Sequence, residues 1–216
     1  MRDTIVLLHG AGRAGRMWRR VAARLAARYD VRTPDLPGFG STAGRFTLDG
    51  AASAVADLAG AEPAERVHLC GFSLGGAVAL RAVSAHPDRF LSLVICAAPL
   101  APSVNQSETL RRYRRIPDRV ARLFSDSSSW CAVVHAVSEL DVSSDLPQVR
   151  VPTLVACGAR DRGALADTYR IAHGVPGARL LLVPHLGHGW PVFAPQVFAA
   201  VLDGFLSSIP GPAGER

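Results

Sequence analysis

Residues 69–76 read LCGFSLGG, and this stretch places one serine between glycines where an apolar run gives way to a helical pattern. The run RVHLCG (66–71) predicts a buried strand, and the apolar residues that follow Leu74 recur at helical spacing. The turn Gly71-Phe72-Ser73-Leu74-Gly75 then has the strand–turn–helix context that a G-x-S-x-G nucleophile elbow requires. The alternative is that Ser73 only caps the helix, because this short pattern alone is common by chance.

The rest of the chain alternates short apolar runs with amphipathic helical ones. The strand-like runs are TIVLLHG (4–10), YDVRTPD (29–35), RVHLCG (66–71), FLSLVICAAP (90–99), VPTLVACG (151–158) and ARLLLVP (178–184). Continuous apolar strands separated by helices predict an α/β fold, with a mostly parallel sheet covered by helices on both faces. Such sheets gather their active-site groups at the carboxyl ends of the strands.

A serine hydroxyl is a weak nucleophile unless a base takes its proton and an acid orients that base. Both partners should follow later strands of the sheet. Asp161 comes just after VPTLVACG, and His188 lies in the loop beyond ARLLLVP. The order serine, aspartate, histidine is the one expected for a triad on such a sheet, so we predict the catalytic triad Ser73, Asp161 and His188.

Other residues could compete for these roles. His185 could be the base, but it follows a proline at the strand end and lacks a preceding glycine. Asp35 is expected to order its own loop, and Asp167 is expected to be solvated on a helix. The strand ending VICAAP (94–99) carries no carboxylate, which leaves Asp161 as the acid. His9 is expected to brace its loop, and the remaining histidines to be surface or satisfied side chains.

Taken together, the motifs resemble those of the α/β-hydrolase fold superfamily over about residues 4–206. The resemblance is carried by LLHGAG (7–12), DLPGFGST (35–42), GFSLGG (71–76), GARD (158–161) and GH (187–188), which match the family's oxyanion loop, early turn, elbow, acid and histidine. TIVLLHG resembles the family's third strand, and no two-strand hairpin precedes it in this sequence. The resemblance therefore implies a minimal sheet of six strands, with the YDVRTPD strand at one edge.

The resemblance also implies a role for each matching residue. Ser73 would be the nucleophile, His188 the general base and then acid, and Asp161 the orienting carboxylate. The backbone amides of Leu74 and Ala11 would form the oxyanion hole. A serine nucleophile implies an acyl-enzyme formed from a carboxylic ester or thioester, and nothing in the sequence implies a metal or organic cofactor.

Residues 100–149 interrupt the alternation of strands and helices. The segment is polar, and its apolar residues recur at helical intervals, so we interpret it as a small helical lid inserted into a core formed by residues 1–99 and 150–209. The tail PGPAGER (210–216) is expected to be disordered.

The formal net charge is +6, and residues 111–122 alone contribute six arginines against one aspartate. The near-neutral remainder argues against nucleic-acid binding. Arg111, Arg115 and Arg119 could share one helical face and receive an anionic substrate or an acyl-carrier protein, as the lids of the similar pimeloyl-carrier-protein methyl esterases do. The alternative is an ordinary solvated helix.

No apolar run is long enough to cross a bilayer, and no signal-peptide pattern opens the sequence, so we expect a cytoplasmic protein without membrane contacts. The four cysteines lack metal-type spacing. Three of them, at positions 70, 96 and 157, lie in apolar strand-like runs, where free cysteine behaves as a small buried hydrophobe.

A second resemblance leaves another class of function open. HGAGRAGRMWRRVAARL (9–25) is similar to the opening of plant methylesterases and hydroxynitrile lyases. The same triad can serve carbon–carbon cleavage, lyase chemistry or ligand binding, so these remain alternatives to an ester or thioester hydrolase.

Overall fold

The computed structural model describes residues 2–59, 67–101, 134, 137–138 and 140–209. Six strands form one sheet in which every pairing is parallel. The strands are β1 (Thr4–Leu8), β2 (Asp30–Arg32), β3 (Val67–Phe72), β4 (Phe90–Cys96), β5 (Thr153–Gly158) and β6 (Arg179–Val183). The helices of the described residues are α1 (Arg19–Leu25), α2 (Leu48–Leu58), α3 (Leu74–Ala85), α4 (Leu165–Gly174), α5 (Trp190–Phe193) and α6 (Pro195–Leu206).

The spatial order of the strands is β2-β1-β3-β4-β5-β6, so the short β2 lies at one edge as predicted. The chain runs from β1 to that edge and then returns to place β3 on the other side of β1. The order of the strands thus reverses between β1 and β3, and the crevice beyond their carboxyl ends is where ligands bind in open α/β sheets. The loop at residues 9–14 and the turn at Ser73 both leave the sheet at this point.

The two faces of the sheet are covered by separate sets of helices, because successive side chains of a strand point to opposite faces. In β1, Val6 and Leu8 pack with the core that contains α2 and α3. Ile5 and Leu7 pack with the core that contains α1 and α6. The α/β class and the layered architecture predicted from the sequence are confirmed.

Apolar residues recur at helical spacing over residues 16–28, and the helical structure there is short and divided. A 3₁₀ turn covers Gly15–Trp18 and α1 continues it. The apolar positions of the helical pattern are nevertheless buried, and Trp18 is fully enclosed. Gly15 is required here, because a Cβ at this position would lie only 1.9 Å from the Thr33 carbonyl oxygen. The backbone just after β2 therefore packs directly against the start of the 3₁₀ turn.

Part of the predicted lid packs into the core. Leu140, Val142, Leu146 and Val149 are buried against the α2–α3 side of the sheet. Arg81 of α3 holds this segment in place, since its Nε donates to Asp145 Oδ2 at 2.7 Å. The domain boundaries at residues 99 and 149 remain predictions.

Residues 102–133, with Arg111, Arg115, Arg119 and Trp130, lie outside the described residues, as does the tail at 210–216. None of the helices in the described ranges combines the length and the apolar character that crossing a membrane requires.

Candidate active site

The turn between β3 and α3 holds Ser73 in a conformation that side chains rarely adopt. Its φ is 53° and its ψ is −121°, and it makes no side-chain cap of α3. The conformation is fixed by the backbone, because the Ser73 amide donates to the Cys96 carbonyl oxygen of β4 at 2.8 Å. A strained residue that the surrounding structure holds in place is typical of functional sites. The helix-cap interpretation of Ser73 is therefore not supported.

The glycines around Ser73 are needed because backbone lies against them on every side. A Cβ at Gly71 would lie 2.1 Å from the Gly75 carbonyl oxygen. A Cβ at Gly75 would lie 2.5 Å from the His9 carbonyl oxygen and 2.6 Å from that of Leu8. The turn therefore packs closely against the end of β1. The spacing of glycines in the sequence reflects this close packing, at the place where the order of the strands reverses.

Asp161 and His188 are brought together although 27 positions separate them in the chain. His188 Nδ1 lies 2.7 Å from Asp161 Oδ2. Asp161 is buried, whereas half of the His188 side chain is exposed. A carboxylate accepts, so the histidine donates from Nδ1 and keeps its lone pair on Nε2. Nε2 is the atom that a general base would use.

The loops that carry these two residues are joined by backbone hydrogen bonds. The Ala159 amide donates to the Val183 carbonyl oxygen at 2.9 Å, and the Arg160 amide donates to that of Leu186 at 2.8 Å. Gly158 permits this approach, because a Cβ there would lie 2.4 Å from the Leu186 carbonyl oxygen. The pairing of the loops fixes where the acid and the histidine meet.

The histidine also lies beside the elbow. The rings of His188 and Phe72 are 5.0 Å apart, centroid to centroid, and Phe72 directly precedes Ser73. Across the described residues no hydrogen bond joins His188 to Ser73. Such contacts are often long in ligand-free enzymes and tighten when substrate is bound.

The competing histidines are placed elsewhere. His185 is exposed, at a φ of 63°, and the described residues include no ion pair with it. His68 is buried and its Nδ1 lies 2.8 Å from Ser92 Oγ, while burial lowers its pKa below the ordinary value. His173 Nδ1 lies 2.7 Å from the Tyr169 carbonyl oxygen. His135 lies outside the described residues.

The two predicted oxyanion donors belong to segments that adjoin the serine. Leu74 provides the first amide of α3, where the helix leaves backbone N–H groups without helical partners. Ala11 follows Gly10, which lies close to the serine. A Cβ added at Gly10 would lie 3.3 Å from Ser73 Cβ. His9 holds this loop, because its Nε2 accepts from the Leu36 amide at 3.0 Å and its Nδ1 lies 2.9 Å from the Gly10 carbonyl oxygen.

Asp35 orders the same region, as expected from the sequence. Its Oδ1 accepts from the Gly15 amide at 2.7 Å, and its Oδ2 accepts from the amide and hydroxyl of Ser41 at 2.8 and 2.9 Å. Burial of the Asp35 carboxyl opposes ionisation, but these hydrogen bonds outweigh it and leave the pKa of Asp35 below its ordinary value.

Replacing Asp35 with asparagine should therefore destabilise the protein by about 1.5–3 kcal/mol at pH 7, the usual range for hydrogen bonds to a charged group. A lowered folded pKa stabilises the protein above the unfolded value, about 3.9, and this contribution is lost as the pH falls through the folded pKa. The difference in urea midpoint between wild type and Asp35→Asn should thus shrink below about pH 4. Asp57→Asn, at an exposed position of α2, is the control and should change the midpoint little; an equal effect in both variants would contradict the assignment.

One residue in the neighbourhood differs from the sequence-based expectation. Asp167 was expected to be solvated, and this is wrong: it is buried, and its Oδ2 accepts from the Leu100 amide at 3.1 Å. The helical period shows on which face of α4 Asp167 lies. It does not show that the backbone at Leu100 packs against that face. Asp167 anchors the chain where residues 100 onward leave the sheet.

A further contact was not foreseen. Cys157 Sγ, at the end of β5, lies 3.8 Å from Asp161 Oδ2. Burial, together with the Asp161 carboxylate, raises the pKa of the Cys157 thiol to about 11, so it is a protonated neighbour of the acid and not a competing nucleophile. Cys70 and Cys96 are likewise buried and free, as predicted. Over the described ranges no three His, Cys, Asp or Glu side chains are grouped to hold a metal ion.

Comparison with known proteins places this site in a family. The alpha/beta hydrolase family matches residues 5–201. A pimeloyl-[acyl-carrier protein] methyl ester esterase of Aeromonas hydrophila subsp. hydrophila is 39% identical over 94% of this chain and 94% of its own length. RutD of Caulobacter sp. (strain K31), to which carbamate hydrolysis is provisionally assigned, is 28% identical over 95% of this chain and 91% of its own.

Solved structures show the same fold at lower identity. A thermophilic esterase from Thermogutta terrifontis superposes with a TM-score of 0.82 and 22% identity, covering 96% of this chain and 90% of that one. The chain therefore belongs to the alpha/beta hydrolase family.

Proposed function

We propose that the protein is a serine hydrolase that cleaves a carboxylic ester or thioester through an acyl-enzyme intermediate, with Ser73, His188 and Asp161 as its triad. The observation that carries the proposal is the pairing of His188 Nδ1 with the buried Asp161 carboxylate at 2.7 Å, beside a serine held at positive φ. An acid–histidine pair needs a nucleophile within reach, and Ser73 follows the ring that His188 contacts.

In the first half-reaction Ser73 Oγ attacks the carbonyl carbon while His188 Nε2 takes the hydroxyl proton. The carbonyl π electrons move to oxygen and form a tetrahedral oxyanion. When this collapses, the bond to the leaving alcohol or thiol breaks, and His188 returns the proton to that group. The product of this half is the acyl-serine ester and the free alcohol or thiol.

In the second half-reaction a water molecule repeats the sequence. His188 takes one proton from water, the resulting hydroxide adds to the acyl carbon, and collapse expels Ser73 Oγ, which recovers the proton. Asp161 stays ionised throughout and stabilises the imidazolium that forms at each step. The acid product and the free enzyme complete the cycle.

The amides of Leu74 and Ala11 are proposed to receive the oxyanion in both halves. Leu74 contributes the first N–H of a helix, where the dipole is positive, and the loop of Ala11 is held beside Ser73 by His9. A preorganised donor of this kind typically contributes about 100- to 1,000-fold in rate.

The names of the relatives support esters as the substrate class. One acts on the methyl ester of a carrier-bound acyl group, so an acyl-carrier protein is a candidate partner. Arg111, Arg115 and Arg119 are proposed to receive it, on the basis of their charge in the sequence alone. The cytoplasmic location likewise remains a prediction.

A substrate panel tests the proposal. Purified enzyme should hydrolyse p-nitrophenyl butyrate and a butyryl thioester and should label stoichiometrically on Ser73 with a fluorophosphonate, as read by peptide mass spectrometry. In the triple variant Arg111→Glu/Arg115→Glu/Arg119→Glu, turnover of a carrier-bound methyl ester should fall about tenfold or more while p-nitrophenyl butyrate is unaffected. Unchanged carrier-ester turnover would remove the carrier protein from the proposal.

Failure of the panel also has a clear meaning. Suppose that the protein is folded, that it turns over no ester, thioester or carbamate, and that the fluorophosphonate does not label Ser73. Hydrolysis is then rejected. Lyase chemistry, carbon–carbon cleavage or ligand binding at the same site would then be the better assignment.

A further inference from the structure

A second pocket adjoins the candidate active site and is unusually basic. It has a volume of about 360 Å³ and is lined by Arg13, Arg16, Met17, Arg19, Arg20 and Val192. Among the described residues that line it, four are arginines and none is acidic. We call it the arginine pocket.

The pocket lies between two segments that build the active site. Arg13 belongs to the oxyanion loop, and its amide donates to the Gly10 carbonyl oxygen at 3.2 Å, which keeps it close to the glycine beside Ser73. Val192 lies on α5, the helix that begins just after His188, and the amide of Trp190 at its start donates to the Gly187 carbonyl oxygen at 3.2 Å. The pocket thus borders both the loop that precedes α1 and the helix that follows His188.

Three arginines of the pocket have no acidic partner among the described residues. Between residues 13 and 28 the chain carries six arginines and no acidic residue. Arg13, Arg19 and Arg20 are exposed and form no ion pair with any described residue.

The arrangement of these arginines carries an electrostatic cost. Arg19 and Arg20 open α1, where the helix dipole favours acidic side chains, and the first turn contains none. Like charges that share a concave surface also repel one another and raise the local positive potential. Both costs are relieved when an anion binds between the guanidinium groups.

We propose that the arginine pocket binds a phosphate group carried by the substrate, which makes phosphorylated esters or thioesters the preferred substrates. Guanidinium groups bind phosphate oxygens in pairs, and several of them around one pocket match a group with several anionic oxygens. Met17 and Val192 add apolar surface, which suits the arm that joins the phosphate to the reacting carbonyl. This inference rests on the proposed hydrolase function.

The test compares two substrates that differ only in the phosphate, butyryl-4′-phosphopantetheine and butyryl-pantetheine. Wild-type enzyme should hydrolyse the phosphorylated thioester with a kcat/KM at least about tenfold higher, mostly through KM, and this preference should shrink as salt rises. In the double variant Arg19→Gln/Arg20→Gln the preference should be lost, while kcat/KM for butyryl-pantetheine changes less than about twofold. Arg24→Gln, which removes one charge on α1 but lies in a different pocket with Asp203, should keep the preference.

A binding measurement separates failure of the pocket from failure of hydrolysis. The butyl thioether of 4′-phosphopantetheine cannot be hydrolysed, and its Kd by titration calorimetry should weaken at least about tenfold in the double variant. If the thioether binds in this way and no thioester is hydrolysed, the pocket stands and the hydrolase proposal falls. If both thioesters are hydrolysed equally well, the hydrolase stands and the pocket proposal is overturned. A third outcome would also overturn the pocket proposal: inorganic phosphate binds, but the phosphorylated thioether binds no better than its pantetheine counterpart. The ligand of the pocket would then be a free anion.

Discussion

Ser73→Ala is expected to lower kcat for p-nitrophenyl butyrate by about 10⁵- to 10⁶-fold, with the residual rate coming from the oxyanion donors and substrate binding. The alanine has no oxygen with which to form the acyl-enzyme, so fluorophosphonate labelling should vanish as well. The hydrogen bond from the backbone amide at position 73 to the Cys96 carbonyl oxygen does not involve the side chain and should survive. The fold is therefore expected to remain intact, which circular dichroism checks.

Ser73→Gly is the matched variant that separates catalysis from folding. A φ of 53° with a ψ of −121° strains any side chain but is accessible to glycine, so this variant should also be inactive but should unfold at a higher temperature than Ser73→Ala. Ser53→Ala, on the exposed face of α2, controls for loss of a hydroxyl and should keep full activity. Ser73→Ala that keeps more than a hundredth of the wild-type kcat would show that the nucleophile is another group.

Asp161→Asn is expected to lower kcat by about 10⁴-fold with little change in KM. Asp161 Oδ1 accepts from the Ala164 amide at 3.3 Å, so the amide oxygen of an asparagine should take that place. Its NH₂ group then faces His188 Nδ1, which must accept instead of donate. The ring proton moves to Nε2, and the atom that should act as the base has no free lone pair.

Asp167→Asn is the control for this variant, because Asp167 is also buried but contacts the Leu100 amide and Arg170 in place of His188. It should lose some stability and keep kcat within a few-fold of wild type. If Asp161→Asn stays within tenfold of wild type while the protein is folded, Asp161 is not the orienting acid, and His188 must be held by another group.

The parallel sheet and the position of the elbow could be predicted because both depend on local pattern. A buried parallel strand must be apolar along its length, and the turn after β3 needs glycine where the neighbouring backbone leaves no room for a Cβ. The positions of Asp161 and His188 after β5 and β6 followed from the same logic, since the carboxyl ends of parallel strands lie at one edge.

Which groups meet across the chain could be decided only by the tertiary structure. Two histidines follow β6, and the hydrogen bonds between the β5 and β6 loops bring His188 to Asp161 and leave His185 exposed. Helical period alone could not reveal that Leu100 would cover Asp167.

The arginine pocket shows the same division between sequence and structure. The arginines at positions 13, 16, 19 and 20 are visible in the sequence, but only the structure shows that Val192 of α5, far along the chain, lines one pocket with them. Sequence by itself determined the sheet, the elbow and the order of the triad candidates, because these depend on short-range period and steric limits. The tertiary structure decided the partner of each charged side chain, because those contacts depend on how distant loops fold together.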